Sequence, residues 1–121
     1  MAEPKHPFRD DLDDQSVLHS TVTRKPIVGR DRILRTIQAA GASYDHMRPT
    51  YHEAIGNRSF AEYDARIAGG PELHCVAAIT RKESGAVETV IINFTPLDGA
   101  LALAEKLKQA LASEIGADYF L

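Results

Sequence analysis

Three tight turns between His46 and Thr95 limit what this chain can fold into more than any other feature, because they cut it into four short runs of strand-like alternation. His46 to Glu53 leads through Gly56-Asn57 into Phe60 to Ala68. Gly69-Gly70-Pro71-Glu72 then leads into Leu73 to Lys82, and Glu83-Ser84-Gly85 into Ala86 to Thr95. Connections this short join antiparallel neighbours, and Gly, Asn and Pro supply the backbone conformations that such turns require. A four-stranded antiparallel meander is therefore expected, with helical segments outside it covering one face.

The flanking sequence supplies those segments. Residues 1–14 are rich in Pro, Lys and Asp, with Phe8 and Leu12 as apolar anchors, and read as a tail or irregular arm before a domain spanning 15–121. Ser16 to Thr23 alternates with period two, setting Leu18, Ser20 and Val22 on one face and Val17, His19 and Thr21 on the other. Pro26 and Gly29 break the chain, and from Arg30 to Tyr44 the period becomes helical, with Ile33, Leu34, Ile37 and Ala40 as its stripe. Pro49 inside the first meander strand suits an edge or a bulge.

In the second meander strand Tyr63, Ala65 and Ile67 oppose Glu62, Asp64 and Arg66, a half-buried pattern. The third and fourth, LHCVAAIT and VETVIINF, are apolar on both faces, which predicts central strands covered on both sides. Helices can cover only the concave face, so the convex face is expected to meet a second copy of the chain. After Pro96 a helix is predicted over Gly99 to Ile115, with Leu103, Leu107, Leu111 and Ile115 spaced by four and Gly116 as its cap. The apolar ending Tyr119-Phe120-Leu121 is expected to fold back onto the domain or pack on a partner.

A chain of 121 residues can build one core but not two. Its formal charge of -3 argues against binding nucleic acid by phosphate neutralisation. No run approaches the roughly 18 apolar residues of a membrane span, and no secretion signal is read at the start. Cys75, the single cysteine, cannot form an internal disulfide, so a cytoplasmic, reducing compartment is expected.

The strand VLHSTV followed by KPIVGRDRI, the stretch EYDARIAGGPEL, and the hairpin ITRKESGAVETVIINFTPL occur in an order and spacing that resemble the SnoaL-like branch of the nuclear transport factor 2-like (cystatin-like cone) superfamily. The likeness covers about Ser16 to Leu111. It implies an α+β fold in which a curved antiparallel sheet wraps around helices, here with the family's first helix shortened or missing. It also implies a homodimer through the convex face and a hydrophobic pocket for a small apolar or aromatic molecule, without cofactor.

The chemistry of the family does not carry over residue by residue. In its steroid isomerases a general-base Asp stands near the end of the first strand, where this chain has Ser20, and an oxyanion-binding Asp stands where it has Ala77. The third group, a Tyr, lies on the helix this chain lacks. Epoxide hydrolases of the superfamily use an Asp-Arg-Asp set, whereas here Glu62-Tyr63-Asp64 has no neighbouring Arg and the late-strand acid position falls on Ile92. The resemblance thus implies a ligand-binding protein without the usual catalytic carboxylates; the alternative is an isomerase, dehydratase or cyclase with relocated groups.

With Ser20 facing the cone interior, as the resemblance implies, alternation puts Leu18 and Val22 beside it and adds Cys75, Ala77, Ile79, Val90, Ile92 and Phe94, with Met47, Tyr63 and Ala65 completing the pocket wall. Most of the same residues more simply fill a solid core, which would leave a purely structural dimerisation module. For an enzyme, His19, Ser20 and Tyr63 are the candidates, and His19 and Ser20, as strand neighbours, point to opposite faces. His46, His52 and His74 with Glu53 or Glu72 lack ligand spacing, so no metal site is expected. Cys75 reads as a buried, inert thiol, and Glu62 and Asp64, on the outward face, as facing solvent or pairing with Arg66 and its cross-strand neighbours.

Overall fold

The computed structural model describes residues 6–121. After a 3-10 turn at Arg9–Asp11 come β1 (Val17–Ser20), β2 (Ile27–Val28), α1 (Arg30–Ser43), β3 (Tyr44–Ile55), β4 (Arg58–Ile67), β5 (Glu72–Arg81), β6 (Val87–Thr95) and α2 (Leu97–Leu111). A π-turn, Ala112–Gly116, and a 3-10 turn, Ala117–Tyr119, close the chain. The strands form one six-stranded sheet in the order β2-β1-β6-β5-β4-β3, so the expected α+β architecture and meander are present.

The sheet departs from expectation in two places. It is mixed rather than wholly antiparallel, because β1 runs parallel to β6, with Leu18 opposite Val90 and Ser20 opposite Ile92. Parallel neighbours need a long connection, and α1 plus the meander provide one. The second departure is β2, whose residues between Pro26 and Gly29 are too few to show a period; Ile27 pairs with Leu18. The hairpin turn at Gly56 takes φ 59°, a region open to glycine at no steric cost. On edge strand β3 the register shifts between Pro49 and Tyr51, the bulge that a proline without an N–H donor favours.

Both helices pack on the concave face. Leu103, Leu107 and Leu111 of α2 are 0–2% exposed in this core. Its first turn lies so close to β5 that a Cβ on Gly99 would stand 2.7 Å from Leu73 Cδ2 and 2.8 Å from the Glu72 carbonyl oxygen. The buried line of α1 is Ile33, Thr36 and Ala39, rotated slightly from the expected stripe, with Leu34, Ile37 and Ala40 at its margins. Thr36 tolerates burial because its hydroxyl donates to the Arg32 carbonyl at 2.9 Å.

The C-terminal residues fold back onto the domain: Phe120 is fully buried, pairs with Thr23, and is followed by Leu121 donating its N–H to the Val22 carbonyl at 3.0 Å. Among the described residues no helix is long and apolar enough to cross a membrane.

Candidate functional site

Register places the expected pocket residues on one face. Tyr63 lies opposite Cys75, Cys75 opposite Phe94, Ala77 opposite Ile92 and Ile79 opposite Val90. Leu18, Val22, Ala65, Cys75, Ala77, Ile79, Val90, Ile92 and Phe94 are all buried in the core. Met47 pairs with Ala65 but is 52% exposed, because nothing on the concave side extends over the edge strand it belongs to. Ser20 is occupied in the turn that ends β1, where its hydroxyl accepts from the Val22 N–H at 3.2 Å and meets Thr23 Oγ1 at 3.3 Å.

The polar part of this face is a cluster of two phenols and a thiol. Tyr63 and Cys75 face each other across β4 and β5, and Tyr44 reaches them from the junction of α1 and β3. The Tyr44 hydroxyl is buried, and neither neighbour completes a well-formed hydrogen bond with it. Burial raises the pKa of both tyrosines, and electrostatic coupling adds to it, from Cys75 for Tyr44 and from Tyr44 and Cys75 for Tyr63, so both stay neutral and keep their O–H as donors. Burial likewise pushes the Cys75 thiol up to about 11, which makes it a poor nucleophile. Periodicity gave no hint of Tyr44, since it stands where the helical and strand periods meet.

The convex face holds a second constellation that the sequence reading left dispersed. His74 Nδ1 lies 2.8 Å from Asp64 Oδ1 and its Nε2 lies 2.9 Å from Glu62 Oε1. Carboxylate oxygens accept, so the ring donates to both at once only as an imidazolium, the form this geometry favours. The hydrogen bond to Asp64, then that to Glu62, raises the His74 pKa, while the bond to His74, then that to Arg48, lowers that of Asp64. Arg66 pairs not with these acids, as expected, but with Asp45 through both Nε at 3.0 Å and Nη2 at 3.2 Å, because Asp45 stands beside it on β3. Counting back from the Gly69-Gly70 turn would have put Asp64 opposite His74, so this cluster was legible.

A groove of about 760 Å³ runs past these residues, lined by Asp45, His46, Arg48, Asp64, Arg66, Glu72 and His74. Among the described residues no group of His, Cys, Asp and Glu is arranged to hold a metal ion.

His19 is exposed and sits opposite Ile91, itself 39% exposed, so it stands on the face away from Tyr63. Proton abstraction beside a carbonyl needs a base and an oxyanion donor converging on one atom about 3 Å away, and His19 with Tyr63 does not form such a pair. Lys25, in the loop after β1, is bonded to Asp118 and lies 5.2 Å from the centre of the Tyr119 ring.

No family model matches the chain, and no curated protein sequence is similar to it. Solved structures are. An uncharacterized protein with a cystatin-like fold from Silicibacter pomeroyi aligns with a TM-score of 0.80 and 17% identity, over 88% of this chain and 74% of that one. A steroid delta-isomerase from Pseudomonas aeruginosa aligns at 0.78 and 22% identity, over 87% and 77% of the two chains. A nuclear transport factor 2-like protein of unknown function from Mesorhizobium loti aligns at 0.60 and 14% identity, over 74% and 76%. The chain therefore has the cystatin-like, nuclear transport factor 2-like fold.

Proposed function

We propose that this chain is a dimeric small-ligand-binding protein that receives an apolar or aromatic molecule on its concave side and lacks the acid and base groups of isomerases sharing its fold. The observation that carries the reading is the Tyr44 hydroxyl, buried beside Tyr63 and Cys75 without a well-formed hydrogen bond to either. Leaving such a donor unmatched costs about 1–3 kcal/mol, which a ligand oxygen would recover. The inward positions 61, 63, 65, 75, 77, 79, 90, 92 and 94 carry no carboxylate or imidazole, which favours binding over catalysis. An isomerase built on His19 and Tyr63 would have its base on the wrong face.

Dimerisation is supported by the convex face, where among the described residues Ile91 is 39% exposed and Val76 and Ala78 are half-buried. The unpaired, buried Cys75 suits a reducing, cytoplasmic compartment. A second reading, a structural dimerisation module with a filled cone, is favoured by the 0–8% exposure of the core residues from Leu18 to Phe94.

Native mass spectrometry of freshly purified protein, followed by denaturation and identification of released compounds, separates these readings. A dimer carrying a co-purified apolar compound supports ligand binding. An empty dimer that also fails to take up apolar carbonyl compounds supports the structural module, and a monomer overturns the dimer.

A further inference from the structure

The arm ahead of β1 is held differently from the rest of the domain. Its Phe8 and Leu12 side chains reach the core and are buried. Its other described ties to the sheet are polar and centre on the β5–β6 hairpin. Arg81 places Nη1 2.7 Å from Asp11 Oδ2 and Nη2 2.8 Å from the Pro7 carbonyl, while Nη1 also donates to the Gly85 carbonyl at 2.8 Å. Lys82 reaches Gln15 Oε1 at 2.8 Å and Asp13 Oδ2 at 3.3 Å. A segment anchored by so few buried side chains can open without dismantling the sheet.

His6 organises the turn that presents those anchors. Its Nδ1 accepts the N–H of Phe8 at 3.2 Å and that of Arg9 at 3.0 Å, and its ring packs edge-on to Phe8 with centroids 4.7 Å apart. A nitrogen accepting two hydrogen bonds has its lone pair engaged, so the ring is neutral and its hydrogen sits on Nε2. Protonation would put a hydrogen on Nδ1, pointing at two N–H groups, and turn the cap into a repulsion. Among the described residues, the charged groups that act on the ring are Arg9 and Asp10 of the arm. From β5 comes Arg81, engaged with Asp11 and the Pro7 carbonyl.

We propose that the arm is a proton-released strap: acid unseats the His6 cap, the Arg9–Asp11 turn loosens, and Phe8 and Leu12 withdraw, opening that end of the cone. Burial first, then the Arg9 guanidinium, hold His6 below its ordinary 6.5. A base whose pKa is lowered by docking leaves the docked state undisturbed above its free value and weakens it as pH falls below that value. The device does not depend on whether the concave side takes a ligand.

Amide hydrogen exchange tests it at the Asp11 N–H, which bonds the Phe8 carbonyl at 3.1 Å, with the Ile79 amide in β5 as the internal reference. After correction for intrinsic rates, Asp11 protection should fall about tenfold or more relative to Ile79 between about pH 7.5 and about pH 5. His6→Asn keeps a capping oxygen but cannot take up the proton, so its Asp11 protection should be the same at both pH values. Equal protection of the wild-type arm at both pH values overturns the proposal. So does an equal loss in His6→Asn.

Discussion

Asp64 sits directly across the β4–β5 pair from His74, with Oδ1 and Nδ1 2.8 Å apart. Glu62 holds the other ring nitrogen at 2.9 Å, so one imidazolium bridges two carboxylates that would otherwise repel each other on the same strand face.

This geometry predicts an elevated His74 titration. The folded pKa of His74 lies above 6.5, so its contribution to stability is complete below 6.5 and lost as pH rises through the folded value. The pKa of Asp64 lies below 3.8, so its contribution is complete above 3.8 and lost as pH falls through the folded value. The cluster is therefore at full strength between 3.8 and 6.5. An NMR titration of the ring should give a midpoint above 6.5 that Asp64→Asn moves downward. A wild-type midpoint at or below the ordinary value would refute the assignment.

Cys75 should resist modification in the native protein, being fully buried with its thiol pushed up to about 11. Iodoacetamide at mildly alkaline pH should label it only when urea unfolds the chain. Native labelling at the unfolded rate would contradict the packing described around Tyr44 and Tyr63.

Gly99→Ala should destabilise the domain, because the added methyl meets Leu73 and the Glu72 carbonyl at distances that real Cβ atoms do not tolerate. Overpacking of this kind costs about 1–3 kcal/mol. That outweighs the roughly 1 kcal/mol by which alanine is the better helix former. Urea unfolding should show a lower midpoint with an unchanged slope; an unchanged or raised midpoint would mean that α2 can shift away from β5 freely.

Phe120→Ala removes a fully buried ring from the closure between the C-terminal residues and the Val22-Thr23 segment that follows β1. A loss of about 3–5 kcal/mol is expected from emptying such a site. Thermal and urea unfolding would measure it, and a loss below about 1 kcal/mol would show that the segment is dispensable to the core.

The meander was legible because its turns and its period-two strands agree: glycine, proline and asparagine mark the reversals, and Ala61, Tyr63 and Ala65 alternate cleanly with Glu62 and Asp64. Side-chain pattern carries no information about which edge of a sheet a lone strand joins, so the parallel docking of β1 on β6 was not readable. The apolar half of the candidate site followed from alternation together with the family likeness at Ser20, which picks the inward face of strands such as that of Cys75, Ala77 and Ile79. Its polar element did not: Tyr44 comes to Tyr63 and Cys75 because of where α1 ends, a packing outcome rather than a sequence period.

The parallel pairing of β1 with β6 also orders events in time. Each meander hairpin closes over a turn of a few residues, whereas Thr21 and Asn93, which meet beside that pairing, are 72 positions apart. Long-range closure comes late because its entropy must be offset before its contacts form. The β1–β6 pairing is thus expected to form after the meander, and Leu18→Ala should speed unfolding far more than it slows folding.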